Sequence, residues 1–178
     1  MVAVRIRGGS KLEQALAKIA RSVHAKKALE VGFLEGAKYP DGTSVAMVAA
    51  IQEFGAPKVG IPPRSFFRKA VKEHAKEWGP TLAEELQATN ISVEAALTRL
   101  GLVIQGEIQQ SIIDIVAPPL SPVTLMVRQI IGPNGRATFA DVLEARRRVA
   151  AGQAASGVST KPLIWTAHML KSVDLRVK

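Results

Sequence analysis

The chain has 178 residues, 47% of them hydrophobic and 22% charged, which suits a single globular domain over 1–178 and argues against wholesale disorder. It has no cysteine, which excludes a disulfide framework, a thiolate zinc site and a cysteine nucleophile. Lysine and arginine number 24 against 15 aspartates and glutamates, and the formal charge of +9 favours acidic partners: nucleic acid, an anionic surface or an acidic protein.

Val2–Arg7 alternates apolar and basic residues and predicts a half-buried strand, broken by Gly8-Gly9. Ser10 then caps a helix of about 13 residues whose apolar stripe is Leu12, Leu16, Ile19 and Val23. Ala28–Leu34 reads as a second strand, and Pro40-Asp41-Gly42 as a turn. Thr43 or Ser44 caps a helix carrying Val45, Val48, Ala49 and Gln52, which Gly55 stops. Lys58–Arg64 is expected to be extended, because Pro62 and Pro63 disfavour helix before them.

Ser65 is the candidate cap of a helix bearing Phe66, Phe67, Ala70, Val71, Ala75 and Trp78, which Gly79-Pro80 should break. Helical patterning resumes from Thr81 to about Ile115, with Asn90 as a candidate cap. Leu97, Leu100, Ile104, Ile108 and Ile112 form its continuous face. Gly101 and Gly106 either weaken this helix or allow close packing. Ala117-Pro118-Pro119 ends it. Ser121-Pro122 opens a short helix to Ile131, and Gly132–Gly135 is a turn. Thr138 caps a helix with Phe139, Val142, Leu143 and Val149 expected inward and Arg146, Arg147 and Arg148 clustered. Ala150–Thr160 reads as a flexible loop, Pro162–Lys171 as a short helix or turn, and Ser172–Val177 as a closing strand. The two terminal strands can pair in one sheet.

Few catalytic motifs survive inspection. There is no phosphate-binding G-x-x-x-x-G-K-[ST] stretch and no G-x-S-x-G nucleophile elbow. His24, His74 and His168 read as isolated residues with no metal-ligand partners at the right spacing, so no metal or cofactor is expected. No apolar run approaches the roughly 20 residues of a membrane span, and the N-terminus lacks a signal-like apolar stretch, so synthesis in the cytoplasm is expected. Aromatics at 4% argue against a base-stacking platform. Basic residues cluster before residue 28 and again at Arg146–Arg148, where they could neutralise phosphates without reading sequence, or stand as a solvated face.

A further feature is Ile51-Gln52-Glu53-Phe54-Gly55 followed by Ile61-Pro62-Pro63-Arg64-Ser65-Phe66-Phe67-Arg68. Diproline presets the backbone and lowers the ordering cost of docking. Adjacent phenylalanines point in different directions around a helix. One is therefore free to serve as an interface anchor, unless both are buried.

The run "IQEFG … IPPRSFFRKAV" resembles the "EFG … IPARPFLR" stretch of head–tail joining and tail-completion (minor virion morphogenesis) proteins of long-tailed bacteriophages. "VGFLEGAKYPDGTSVAMVAA", "PPLSPVTL" and "KPLIWTAHMLKSVDLRV" are similar to that family's neighbouring segments, in the same order, over roughly 28–72 and 105–177. Trp165 and Ala167 stand where the family has aspartate and glycine, and 132–160 is longer than expected of it. The resemblance implies a non-enzymatic virion component of the head–tail junction (neck). It would form a homo-oligomeric ring, six-fold or twelve-fold, between the capsid connector or adaptor and the tail tube or tail terminator proteins. Genomic DNA would pass through its lumen without sequence-specific contact.

On this reading Ile61, Pro62, Pro63, Arg64, Phe66, Phe67 and Arg68 form an oligomer or partner interface, and Arg146, Arg147 and Arg148 meet lumenal DNA or an acidic partner. The expected fold is α+β: a small, mainly antiparallel sheet of Val2–Arg7, Ala28–Leu34 and Ser172–Val177 packed against the long helix, with a helical or loop excursion near 132–161. The alternative is a sequence-independent nucleic-acid-binding protein. A third reading, a hydrolase or nuclease, would have to use Asp41, Glu53 and Asp141.

Overall fold

The computed structural model describes residues 27–87, 91–133 and 135–178. The expected strand Val2–Arg7, the basic helix after Ser10, His24 and the cap Asn90 lie outside the described residues. Among the described residues, six α-helices and a two-stranded antiparallel sheet make a mostly helical α+β fold.

Strand β1 (Leu29–Gly32) pairs with β2 (Asp174–Val177), with Leu29 opposite Val177 and Gly32 opposite Asp174. Helix α1 spans Val45–Phe54, α2 Phe66–Gln87, α3 Val93–Asp114, α4 Pro122–Ile131, α5 Phe139–Ala150 and α6 His168–Lys171. Local chemistry sets most boundaries. Ser44 Oγ accepts from the Met47 N–H, Ser92 Oγ from Ala95 and Ser121 Oγ from Thr124. Thr138 and Asp141 form a reciprocal capping box at the start of α5.

The core joins α1, α2, α3 and the C-terminal segment through Val45, Phe66, Ile108, Ile112, Met169 and Val173. Helix α3 is its spine, as the spacing of Leu97, Leu100, Ile104, Ile108 and Ile112 requires, and all five are buried. Its most extensive partner is α2, and it also touches both strands. Gly101 marks the close approach to the sheet: a Cβ there would lie 2.9 Å from Leu29 Cδ1 and 3.2 Å from Leu175 Cδ2. Gly106 is exposed and meets nothing.

Four local expectations are corrected. Helix α2 does not break at Gly79-Pro80 but runs through to Gln87. Trp78 and Leu82 pack on either side of the proline against the core, and that tertiary contact overrides the missing backbone donor. Lys58–Arg64 is not extended throughout: Pro57–Val59 forms a 3₁₀ turn closed by Gly60 in the left-handed region. The helix α5 does not turn Phe139 and Leu143 inward; they are 77% and 49% exposed, and Ala145 is its buried residue. The physical reason is that α5 packs chiefly on α4, which offers too little surface to cover a wide apolar stripe. Ala150–Thr160 is fastened at several points, since Gln129 Oε1 accepts from the Ser156 N–H and Arg128 holds the carbonyl of Ser159.

Candidate functional site

The segment Ile61–Arg68 is organised by two charged side chains buried beneath it. Glu53, at the end of α1, is 4% exposed. Its carboxylate accepts from the backbone N–H of Phe67 at 2.8 Å and of Arg68 at 3.2 Å, and from Arg68 Nε at 2.8 Å. The first turn of α2 is therefore capped from 14 residues upstream. Ser65, the expected cap, instead donates to the Glu53 carbonyl oxygen and accepts from Arg68.

Arg64 is 5% exposed. Its Nε donates to the Pro118 carbonyl at 2.9 Å, one Nη to Gln52 Oε1 at 3.0 Å and the other to the Pro119 carbonyl at 3.3 Å. Burial pushes its proton affinity below that of a free guanidinium. Arg128 on α4 is 7% exposed and does likewise for the C-terminal segment. Its Nη groups donate to the carbonyls of Ser159, Lys161 and Pro162 at 2.7, 3.0 and 3.1 Å. The Trp165 ring lies 5.5 Å from its guanidinium carbon.

The segments "QEFG", "IPPR", "PPLSP" and "KPL", scattered along the chain, thus converge on two buried arginines. Gly55 shows why the first of them ends in glycine. Its φ is 77°, and a Cβ would sit 2.8 Å from Pro63 N and 2.9 Å from the Ile61 carbonyl oxygen.

The expected interface residues fall into two groups. Phe66 is 1% exposed, packs edge-on to Phe33 and belongs to the chain's own core, so it is not available as an anchor; Arg64 is sealed beneath the segment. Ile61, Pro62 and Phe67 are half-buried, and Pro63 and Arg68 are exposed. The large apolar surface here comes from two residues outside the expected interface set: Phe54, 65% exposed under the Arg68 guanidinium, and Val59, 71% exposed. A bulky residue directly before the helix-stopping glycine was the available signal.

Arg146, Arg147 and Arg148 sit together on α5, but Glu144 pairs with Arg147 at 2.6 Å and with Arg148 at 2.7 Å. Glu144 thereby offsets some of the cluster's charge, and Arg146 points to solvent. The three candidate carboxylates are each engaged by backbone N–H groups: Asp41 by Thr43, Glu53 by Phe67 and Arg68, Asp141 by Thr138.

His74 and His168 are less isolated than their spacing suggests. His74 Nδ1 lies 3.5 Å from Glu107 and 4.0 Å from Glu77, and Glu107 also accepts from Trp78 Nε1 at 2.7 Å. His168 Nε2 lies 2.9 Å from the Lys38 carbonyl oxygen, and its ring stacks on Tyr39 with centroids 4.7 Å apart. Ala167 holds a left-handed conformation at φ 57°.

A cleft of about 780 Å³ opens between the Tyr39–Asp41 loop, α4 and the Trp165–His168 segment, with Arg128 in its wall. No helix of the described residues is long and apolar enough to cross a membrane. No protein-family model, curated protein or solved structure matches this chain.

Proposed function

We propose that this chain is a structural component of a phage head–tail junction that assembles as a homo-oligomeric ring and joins the capsid connector to the tail. The observation that carries the reading is the exposed apolar pair Phe54 and Val59, mounted on a segment that Glu53 and Arg64 hold rigid from below. Large apolar side chains on a pre-ordered surface lose little entropy on docking, which suits a repeated subunit contact. The resemblance of "IQEFG … IPPRSFFRKAV" adds support, because its pieces meet in one place. The chain acts as one α+β unit with α3 backing the sheet. The excursion over 132–161, with Phe139 and Leu143 exposed, reaches toward a neighbour. Arg146 faces lumenal DNA or an acidic partner.

A head-to-tail ring needs a surface on one subunit that matches a different surface on the next. The test is light scattering over a concentration series, with negative-stain imaging, on the native chain and on a Phe54→Ser/Val59→Ser double variant. A ring of six or more subunits is expected for the native chain and its loss in the double variant, with far-UV circular dichroism unchanged. A native chain that stays monomeric and binds duplex DNA with steep salt dependence would favour the sequence-independent nucleic-acid reading, which Arg146 supports.

A further inference from the structure

Arg64 and Arg128 are two neighbouring buried cations, and neither has a carboxylate within ion-pair distance among the described residues. Buried charges are ordinarily paired with an opposite charge. Here both guanidinium groups rest on neutral acceptors, mainly backbone carbonyls. Burial and the adjacent Arg64 both weaken the hold of Arg128 on its proton. Arg128, which lines the cleft, thus brings to it a positive charge that no carboxylate among the described residues pairs with.

Arg128 retains capacity to bind. Its three hydrogen bonds use only the Nη groups, and its Nε makes none among the described residues. No side-chain nitrogen or oxygen among them is both sealed and unpartnered, so this Nε is not fully closed off, and Arg128 lines the cleft. The cleft walls supply the rest of a recognition surface. Val127, Ile131 and Trp165 are apolar or aromatic, and Arg136 adds a second cation. Asp41 is the acid in the lining; its carboxylate accepts from the Thr43 N–H and also feels the charge of Arg136.

We propose that this cleft binds an acidic peptide segment of another protein, a carboxylate reaching Arg128 and an adjacent apolar side chain lying against Val127, Ile131 and Trp165. The cleft volume exceeds what one carboxylate needs and suits several peptide groups. Two arginines against one carboxylate leave the cleft lining with an excess of positive charge, which an acidic segment complements. The site is separate from the Phe54–Val59 surface, and its test does not depend on ring formation.

The experiment uses the full chain and a fluorescein-labelled peptide, acetyl-Gly-Phe-Asp-Glu-Leu-Gly, with the amide counterpart acetyl-Gly-Phe-Asn-Gln-Leu-Gly, read by anisotropy. The acidic peptide is expected to bind at least about tenfold more tightly than the amide. Thr124→Glu, at an exposed position of the cleft wall, and Arg136→Glu should each weaken it by about tenfold or more without changing the thermal midpoint. A Trp78→Phe variant leaves Trp165 as the sole indole, and its emission should shift on binding. Equal affinity for both peptides overturns the proposal. So does acidic binding that both cleft variants leave untouched, which would be attraction to the basic surface at large. Displacement of the peptide by a short oligonucleotide as readily as by unlabelled peptide overturns it as well.

Discussion

Arg64 donates its Nε hydrogen to the carbonyl oxygen of Pro118 across 54 positions of the chain, and this bond fixes the proline-rich segment against the end of α3. Its two other groups hold Gln52 and Pro119, so one side chain ties three separate stretches together. Replacement by alanine removes all three bonds at once and empties the space that the buried Arg64 side chain fills. Arg64→Ala should lose about 3 kcal/mol in urea unfolding, and Arg64→Lys should recover only some of it, because an ammonium lacks the planar fork.

Gly55 and Gly60 offer a matched pair. Both have positive φ, 77° and 73°, but a Cβ at Gly55 strikes the Pro63 and Ile61 backbone whereas one at Gly60 meets nothing. Gly60→Ala should cost about 1 kcal/mol, the conformational term alone. Gly55→Ala should cost at least about twice that, since two backbone segments must separate. Chemical denaturation of the two variants side by side checks the order.

Ala167 holds a left-handed conformation that glycine adopts freely, just before α6. Ala167→Gly should therefore stabilise the chain by up to about 1 kcal/mol, less whatever glycine gains in the unfolded state. A raised thermal midpoint is the expected readout.

Three half-buried carboxylates hold their protons less tightly than usual. The cause is Thr138 for Asp141, chiefly Arg148 for Glu144, and the side chains of Lys178 and Arg176 for Glu30. For each the folded value lies below the unfolded one. The stabilisation is complete above the ordinary carboxylate range, near pH 4, and is lost as pH falls through the lower folded values. The thermal midpoint should drop on acidification below about pH 4, and a Glu30→Gln/Asp141→Asn/Glu144→Gln variant should show a flatter profile.

The elements visible in the sequence are those whose signals are local. The five apolar residues of α3, the caps Ser44, Ser121 and Thr138, and the alternation around β1 and β2 each declare themselves within a few residues. Pro80 misleads for the same reason: its local cost is plain, and the packing of Trp78 and Leu82 that outweighs it is not. Arg64 and Arg128 are written as surface residues by composition. Only the meeting of remote carbonyls makes burial tolerable, and no local pattern encodes that meeting. Phe139 and Leu143 show the opposite failure, since their spacing defines an apolar face but not whether anything covers it.

The sheet carries a consequence for the order of folding. Ala28 and Lys178 exchange backbone hydrogen bonds at 3.1 and 2.9 Å, and Glu30 meets Arg176 across 146 positions. Such a pair cannot zip from a turn, as a hairpin does. Both strands lean on α3 at Gly101, so the expected order is α2 and α3 first as the platform and the strands late, which φ-values of strand variants check. Damage to either strand then acts on how fast the native state comes apart and leaves the rate of its formation nearly unchanged.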